Sequence, residues 1–274
     1  MVFAALTWNL LHGRDFPPDP ELRTWRQRLW PGEWRRGDYV QVNRSLLPEF
    51  AAKLASFEWD IALLQEAPPR WRDPLAAACG AAGESVLTSR NSLAFLRTAI
   101  AEWNPDLIAS NEGGSNQLLV RPPWRIEERR TIELARRPER RMAIWARLAH
   151  ADGRVVCVAN LHATAEGDHT RAAQELLRVA AQCNEWDVDA PLVVGGDMNL
   201  RPREQPWAFE DLRSKYGLAP PTAPDAVDHL LARGLEVVSP PRRLAPAERE
   251  VVRPGGARVR LSDHAPVEAR FKVA

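Results

Sequence analysis

Acidic, amide and imidazole side chains follow short apolar runs in this sequence, where they can serve metal-assisted or acid–base chemistry. In residues 192–199 an apolar run leads through Gly195 and Gly196 to Asp197 and Asn199. Residues two apart in an extended strand point to the same side, so we expect both side chains to face one cleft. An Asp can take a proton from water or bind a cation, and an Asn can orient it or hold a phosphate oxygen. The alternative is an Asx turn after a strand.

A carboxylate and an imidazole are adjacent near the end of the chain, at Asp263 and His264. Histidine titrates near neutrality and suits proton transfer or stabilisation of charge on a phosphoryl group. It needs a partner that sets its tautomer, and Asp228, at the head of a short apolar run, can serve. The alternative is that Asp263 caps a turn and His264 is a buried, hydrogen-bonded core residue.

Glu66 follows the apolar run 60–64 and suits a cation. A buried carboxylate without a partner is unfavourable, so it requires a metal or an Arg. Oxygen ligands of this type are those that Mg²⁺ prefers, and Mn²⁺ is the alternative metal. Asn9, which ends the first apolar run, can complete or orient such a site.

The runs that precede these residues predict buried strands. They cover residues 2–8, 60–64, 117–120, 142–148, 155–159, 192–194, 227–231, 235–238 and 265–273. Apolar residues at helical spacing predict helices at 42–57, 74–82, 170–186 and 205–216. Active sites of α/β folds are assembled at strand ends that face one cleft. We therefore expect one site from Asn9, Glu66, His162, Asp197, Asn199, Asp228, Asp263 and His264.

In this order along the chain, the motifs resemble the endonuclease/exonuclease/phosphatase superfamily. The matching segments are Thr7-Trp8-Asn9, Leu64-Gln65-Glu66, Asn160-Leu161-His162, Gly196-Asp197-Met198-Asn199, Asp228-His229 and Ser262-Asp263-His264. Each is weak alone, but all six occur in order with every polar position filled. The resemblance implies an α/β (α+β) fold, a four-layer sandwich of two packed, mixed, mostly antiparallel sheets flanked by helices. It covers nearly the whole chain, which we expect to be a single domain over residues 1–274.

The resemblance also implies roles for the proton-transfer groups. Asp197, positioned by Asn199, orients or deprotonates the attacking water. His264, held by Asp228, takes or shares a proton or contacts the scissile phosphate. His162 stabilises charge on the phosphoryl oxygens or acts as a general acid. Whether Asp197 or His264 activates the water is left open by the sequence.

The implied metal site consists of Glu66 as the ligand of Mg²⁺, with Asn9 alongside and Asp263 contributing directly or through water. Weaker candidates for substrate binding lie beside the same strands. They are Arg141, Asn160 and Asn116, and we expect Asn160 to support His162. His12, close after Asn9, is expected at the rim of the site.

Composition excludes several classes of protein. Lys plus Arg number 37 against 36 Asp plus Glu, so the net charge of +1 excludes a strongly basic nucleic-acid coat but not a local basic patch. No apolar run is long enough to span a membrane, and the N-terminus does not read as a signal peptide. The three cysteines are too widely spaced for a zinc cluster or a disulfide framework, which indicates core residues. We expect a cytoplasmic monomer.

Two Arg-rich segments have alternative interpretations. The inserted segment 14–43 interleaves Trp25, Trp30 and Trp34 with arginines. Such residues can stack on and contact single-stranded nucleic acid, but we favour tryptophans packed in a core with arginines in salt bridges. Residues 121–141 form a second basic stretch, for which a solvated hairpin is the favoured interpretation and a DNA-facing edge the alternative.

The sequence therefore predicts a Mg²⁺-dependent phosphoesterase, a nuclease that acts on DNA or RNA. The alternative enzyme is a phosphatase or phosphodiesterase for a small phosphorylated metabolite or a lipid head group. A near-neutral net charge favours that alternative, because a nuclease gains from a positive cleft. A non-catalytic phosphate-binding module is the third hypothesis, and the complete set of acids and histidines argues against it.

Overall fold

Two large β-sheets face each other in the computed structural model, which describes residues 1–89, 94–108, 113–136, 140–165 and 169–273. The strands in chain order are β1 (Val2–Asn9), β2 (Glu33–Arg36), β3 (Tyr39–Val42), β4 (Ile61–Ala67), β5 (Ala82–Leu87), β6 (Ser115–Val120), β7 (Trp124–Ala135), β8 (Arg141–His150), β9 (Val155–His162), β10 (Leu192–Asp197), β11 (Asp228–Arg233), β12 (Glu236–Arg243), β13 (Glu250–Val252), β14 (Arg258–Arg260) and β15 (Val267–Lys272). The α-helices are α1 (Trp25–Leu29), α2 (Leu47–Ser56), α3 (Arg72–Cys79), α4 (Ala94–Trp103), α5 (His169–Trp186) and α6 (Pro206–Tyr216).

The six-stranded sheet has the order β12-β15-β1-β4-β6-β5, and the five-stranded sheet has the order β11-β10-β9-β8-β7. Within these two sheets only the pairs β1–β4 and β9–β10 are parallel. The other pairs are antiparallel. Both sheets are therefore mixed and mostly antiparallel.

Alternation along the strands divides the apolar residues among three cores. Phe3, Ile61 and Val193 point into the space between the two sheets. Leu6 and Leu64 point outward, against α2 and α3. Apolar residues on the outer face of the five-stranded sheet pack against α5 and α6. The layers run helices, sheet, sheet, helices, which confirms the predicted four-layer α/β sandwich.

A small third sheet, with the order β13-β14-β3-β2, was not predicted. It joins the inserted segment to strands near the C-terminal end, and β14 runs parallel to β3 through the pair Arg258 and Tyr39. The predicted helix 42–57 was too long at its start, because Val42 belongs to β3 and α2 begins at Leu47. The predicted helix 74–82 was too long at its end, because Gly80 caps α3 in the left-handed region.

The sequence did not predict the edge strand β7, because charged side chains obscure its alternation. β7 has twelve residues. Of the seven from Arg125 to Thr131, Ile126 is partly buried and the other six are exposed. Charged residues on an edge strand discourage pairing with another chain. The stretch 121–141 thus forms a solvated hairpin of β7 and β8 as predicted, apart from residues 137–139, which lie outside the described ranges.

The three cysteines are buried and unpaired, as the core interpretation predicts. Burial raises the pKa of Cys157 and of Cys183 to about 12, so neither thiol is a nucleophile at neutral pH. None of the helices in the described ranges has the length and apolar character needed to cross a membrane.

The packing interpretation of the inserted tryptophans was wrong. Trp25 is 66% exposed, Trp30 is 68% exposed and Trp34 is 41% exposed. The predicted ion pairs with Glu21, Glu33 and Asp38 are partly present, since Arg36 Nη1 lies 3.8 Å from Glu21 Oε2. Trp25 lies on α1. This helix has five residues and buries none of them, so it leaves the Trp25 indole ring exposed.

Candidate active site

The inward-facing stripe of several strands turns from apolar to polar at one end of the sandwich. Inward residues of β10 run from Val193 through Gly195 to Asp197. Register then sets the neighbours, because Asp197 pairs with His162 on β9 and with Asp228 on β11. Three of the predicted residues are therefore brought side by side by strand pairing alone.

Left-handed backbone at non-glycine residues shapes the loops that complete the site. The φ angle is +48° at Glu66, +46° at Asn199 and +58° at Ser262. At Glu66 the pairing of β4 with β6 shifts register, so a bulge turns the carboxylate out of the strand. Such conformations cost free energy and are concentrated where function requires a particular side-chain direction.

Asp197 lies at the centre of the site and is buried. Its Oδ2 accepts a hydrogen bond from Asn9 Nδ2 at 3.0 Å, and its Oδ1 accepts one from the backbone N–H of Asn199 at 3.0 Å. Burial raises the pKa of Asp197, the imidazole of His264 lowers it and the carboxylate of Asp228 raises it again, to about 7. Asp197 can therefore exchange a proton near neutral pH.

Asn199 does not extend β10 as expected, because the strand ends at Asp197 and an Asx turn follows. The Asn199 side chain donates to the carbonyl of Ala163 at 3.0 Å and so holds the turn against the end of β9. The turn and the functional role of Asp197, weighed as alternatives from the sequence, are compatible in the structure.

His264 forms an ion pair with Asp228. Its Nδ1 lies 2.8 Å from Asp228 Oδ2, and its Nε2 lies 3.7 Å from Asp197 Oδ2. Burial lowers the pKa of His264, but the charges of Asp228 and Asp197 outweigh burial and raise it to about 10. His264 is thus an imidazolium at neutral pH, which can stabilise negative charge but cannot accept a proton.

The loop that carries His264 is tied to β1. Ser262 Oγ donates to the carbonyl of Asn9 at 2.7 Å and accepts from the His264 N–H at 3.1 Å. The indole N–H of Trp8 donates to the carbonyl of His264 at 3.0 Å. The motif residues around each catalytic candidate therefore hold it in position.

His162 is a neutral histidine. Arg141 lies beside it, with Nη1 3.0 Å from His162 Nδ1. Because a guanidinium only donates, Nδ1 is the acceptor and the proton is on Nε2. Burial and the charge of Arg141 lower the pKa of His162 to about 3. Its Nε2–H faces Asp197 Oδ2 at 3.6 Å and Glu66 Oε1 at 3.7 Å. A hydrogen-bond donor fits these facts better than the expected general acid.

Glu66 is ionised and partly accessible. Burial raises its pKa, but the charges of His162 and His12 and a hydrogen bond from Asn9 lower it to about 2. His162 is charged only below about pH 3, so near neutrality it acts on Glu66 as a neutral donor; His12 Nε2 lies 3.2 Å from Glu66 Oε2. With 21% of its side chain exposed, Glu66 fits a hard cation that keeps several waters.

A second arrangement of metal-ligand type is less suitable. Ligand atoms of Asp197, Asp228 and His264 lie within 4.8 Å of one another. However, an imidazolium has no lone pair for a cation, and His264 is already hydrogen bonded to Asp228. Glu66 is therefore the better candidate ligand in this structure.

Three predicted residues lie outside the row of groups that runs from Asp228 through His264 and Asp197 to Glu66. Asp263 is exposed, and the contacts of the described residues do not connect it with Glu66. Asn160 and Asn116 are buried. Asn160 donates to the carbonyls of Leu64 and Gln117, and Asn116 donates to that of Met142. The structure does not support a substrate contact for either Asn, because their amide donors bind backbone carbonyls between the sheets.

Sequence reasoning placed His12 only at the rim, and it did not single out Gly114. The imidazole of His12 contacts Glu66, and a Cβ on Gly114 would lie 3.2 Å from His12 Cε1 and 2.9 Å from Thr88 Oγ1. Gly114 therefore leaves the space that His12 occupies beside Glu66. The proximity of His12 to Asn9 in sequence was the one signal for this contact.

The site combines a carboxylate that can exchange a proton, an imidazolium and an ionised carboxylate that suits a cation, which are groups that hydrolysis of a phosphoric ester uses. The fold and the site therefore define a phosphoesterase. The chain belongs to the endonuclease/exonuclease/phosphatase family, whose model matches residues 6–264. Members of this family are phosphoric ester hydrolases and generally depend on a divalent metal. Among curated proteins no match is found.

Several solved structures share the fold. The endonuclease/exonuclease/phosphatase from Bacteroides vulgatus is 18% identical with a TM-score of 0.66, and the match covers 100% of both chains. The human Nocturnin catalytic domain with bound sulfate is 17% identical with a TM-score of 0.66, covering 100% of this chain and 95% of that one. The mannosyl-6-phosphatase from Bacteroides thetaiotaomicron is 16% identical with a TM-score of 0.64, covering 98% and 99%. These identities show the fold alone.

Proposed function

We propose that this phosphoesterase is a Mg²⁺-dependent phosphodiesterase that acts on DNA or RNA. The observation that carries the proposal is the row of groups from Asp228 through His264 and Asp197 to Glu66. A carboxylate with a pKa of about 7 lies beside an imidazolium at one end of this row, and an ionised carboxylate lies at the other.

Asp197 is the base in this proposal. It takes a proton from a water whose oxygen forms a bond to phosphorus, while the bond from phosphorus to the leaving oxygen breaks and the leaving oxygen takes a proton from solvent. The imidazolium of His264 and the Nε2–H of His162 donate hydrogen bonds to the phosphoryl oxygens as negative charge increases on them. The pKa of about 10 assigns charge stabilisation rather than water activation to His264.

Glu66 would hold the divalent cation, with Asn9 orienting it. When bound, such a cation neutralises charge on the phosphoryl and leaving oxygens. Asn9 is better placed to orient than to ligate, since its amide donates to Asp197 and its Oδ1 accepts from the Leu11 N–H at 2.9 Å. A ligand role for Asp263 stays a prediction. Mn²⁺ is the alternative metal.

The remaining expectations are part of the proposal. We infer one domain over residues 1–274 with an insertion at about 14–43, and a monomer. A cytoplasmic location is supported by three unpaired cysteines.

A phosphatase for a small phosphorylated metabolite or lipid head group is the second candidate. A net charge of +1 favours it, and the mannosyl-6-phosphatase with the same fold is an enzyme of that kind. A non-catalytic module is disfavoured, because an ionised acid, a neutral histidine and a charged histidine are all kept in one row.

A hydrolysis panel with and without Mg²⁺ or Mn²⁺ tests the proposal. It contains plasmid DNA, a single-stranded oligonucleotide, an abasic duplex, RNA and bis-p-nitrophenyl phosphate, with an Asp197→Ala variant as the blank. Metal-dependent cleavage of a polymer that disappears in the blank supports the nuclease. Cleavage of the small diester alone supports the second candidate, and inactivity on every substrate supports the binding module.

Replacing Glu66 with glutamine is expected to lower kcat by about 10²-fold and to raise the Mg²⁺ concentration needed for half-maximal rate. The neutral amide keeps the shape but removes the charge that holds the cation, so excess Mg²⁺ should restore part of the rate. Titration of the rate with Mg²⁺ in both proteins measures this, with the exposed Glu58→Gln as control. An unchanged Mg²⁺ requirement would contradict the ligand role.

Replacing Trp30 with alanine is expected to raise KM for a single-stranded oligonucleotide by about fivefold or more. This is the effect of losing one base stacked on an aromatic ring. The inserted segment starts two residues after His12, and its exposed indoles lie next to arginines. KM for bis-p-nitrophenyl phosphate and the thermal midpoint should stay as they were. Trp207→Ala, an exposed tryptophan on α6, is the matched control. Equal effects on both substrates would overturn this role.

A further inference from the structure

A cavity of about 600 Å³ lies beside the pair formed by Asp228 and His264. Both residues line it, together with Arg243 at the end of β12 and Arg249 in the connection from β12 to β13. Leu244 and other apolar side chains line the space between. The cavity therefore opens directly onto the groups that contact the scissile phosphate in the proposed function.

Arg249 is the unusual residue of this cavity. It is only 8% exposed, and its Nε and Nη1 are buried without a hydrogen-bond partner. A buried guanidinium with unused donors is costly unless a negative group neutralises it. Burial accordingly lowers the pKa of Arg249 from its ordinary value.

Of the neighbouring carboxylates, Glu250 is engaged by other donors, and Asp228 is engaged through Oδ2 while its Oδ1 is buried without a hydrogen-bond partner. Glu250 accepts from Arg260 at 2.7 Å and from the Tyr39 hydroxyl at 3.0 Å. Asp228 Oδ2 is bonded to His264 Nδ1. Among the described residues, no carboxylate lies within ion-pair distance of Arg249. The more distant charges of Asp263 and Asp228 only partly oppose the lowering of its pKa by burial. The donors of Arg249 are therefore available to a ligand.

Two arginines line the cavity. Arg249 is buried with two donors that lack a partner, and Arg243 is about half exposed with a contact of 3.4 Å to Asp225. Of the two carboxylates in the lining, Asp228 is bonded to His264 Nδ1 through Oδ2, and Asp263 is exposed. A pair of guanidinium groups matches a phosphate group, whose oxygens accept from several N–H donors.

We propose that this cavity is a subsite for a second phosphate group of the substrate, bound by Arg249 with Arg243. The inference rests on the proposed phosphoesterase function and defines the substrate class further. The substrate would carry a phosphate at the row of Asp197 and His264 and another on the side of Arg249. The second phosphate can belong to a nucleotide chain or to a small bisphosphorylated metabolite.

Calorimetric titration of the full-length chain tests this inference, with Mg²⁺ present and in an Asp197→Asn background that does not consume the ligand. Thymidine 5′-monophosphate is compared with thymidine 3′,5′-bisphosphate, and fructose 6-phosphate with fructose 1,6-bisphosphate. We expect at least one bisphosphate to bind about tenfold more tightly than its monophosphate, the effect of one additional charge-assisted contact. A gain in affinity for the thymidine bisphosphate identifies a nucleotide as the source of the second phosphate, and a gain for the fructose bisphosphate identifies a small metabolite.

Substitution of Arg249 with glutamine should reduce this ratio to within about twofold of unity. Arg242→Gln is the matched control, because Arg242 pairs with Glu268 and does not line the cavity. Should Arg249→Gln fail to fold, Arg243→Gln, at an exposed position, should still lower the ratio by about threefold. The inference is overturned if neither bisphosphate gains, or if the ratio stays at the value of the parent protein in a folded Arg249→Gln or Arg243→Gln variant. Because binding is measured without turnover, this failure is distinct from inactivity in the hydrolysis panel.

Discussion

Replacing Asp197 with asparagine is expected to lower kcat by about 10³-fold, within the range for loss of a general base. The amide can keep one of the two hydrogen bonds, from Asn9 or from the Asn199 N–H, because the carboxylate accepts them on different oxygens and asparagine has only one. It cannot take a proton from water. Single-turnover rates on the best substrate of the panel measure the loss, with the partly exposed Asp211→Asn on α6 as control. A loss below about tenfold would contradict the base role.

The same substitution should stabilise the fold at alkaline pH. The pKa of Asp197 is about 7 in the folded chain against 3.8 ordinarily, so the folded state binds more protons between these values. Stability contributed by the protonated carboxyl is therefore lost as pH rises through this window. The uncharged amide avoids that loss, partly offset by the lost attraction to His264. We expect a gain of roughly 1–3 kcal/mol in the free energy of unfolding at pH 8 and less at pH 5. A thermal midpoint that falls at pH 8 would show that the ionised carboxylate is structural.

Replacing His264 with glutamine is expected to lower kcat by about 10²–10³-fold, the cost of removing one donor to a developing oxyanion. The loss should occur without a large change in the thermal midpoint, since the ring is partly exposed and the loop is held by Ser262 and Trp8. Rates and melting curves of His264→Gln measure both effects, and His169→Gln, with 41% of its side chain exposed, serves as control. A chain that unfolds would point to a structural histidine instead.

The Asp228→Asn substitution changes the charge of the His264 ring while leaving the ring itself in place. The carboxylate of Asp228 raises the pKa of His264, so its removal lowers that pKa from about 10 toward the ordinary 6.5. Because the imidazolium is the active form, the alkaline fall in kcat should move to lower pH, while the acid limb still reports Asp197. A pH–rate profile of both proteins measures the shift. An unchanged alkaline limb would show that Asp228 does not control His264.

Much of the site could be predicted from the sequence because strand ends are visible as local patterns. An apolar run that stops at Asp197, His162 or Asn9 shows both where the strand ends and which residue stands there. Inward and outward alternation then follows from the geometry of a strand. The same local logic predicted α5 and α6 nearly to the residue.

Elements without a local pattern were missed. Strands β2, β13 and β14 have three or four residues, too short for an alternation to be recognised, and form only because they pair with distant segments. The exposure of Trp30 could not be predicted either, since an indole looks like a core residue until its neighbours are known.

Protonation states were decided by tertiary structure alone. Nothing in the sequence distinguishes His162 from His264. In the structure Arg141 lies beside His162, which is neutral, and Asp228 lies beside His264, which is charged. Electrostatic interaction depends on distance and burial, and these partners lie 21 and 36 residues away along the chain.

From the sequence by itself, motif order indicated the phosphoesterase family, the resemblance to that family implied the fold class, and local periodicity showed which residue types stand at the strand ends. Only the tertiary structure decided which groups touch, that Asn160 and Asn116 are interior rather than exposed to substrate, and that Arg249 lines a cavity beside His264. The physical reason is that a charge, a hydrogen bond and a cavity are properties of neighbours in space, and strand register brings those neighbours together from distant parts of the chain.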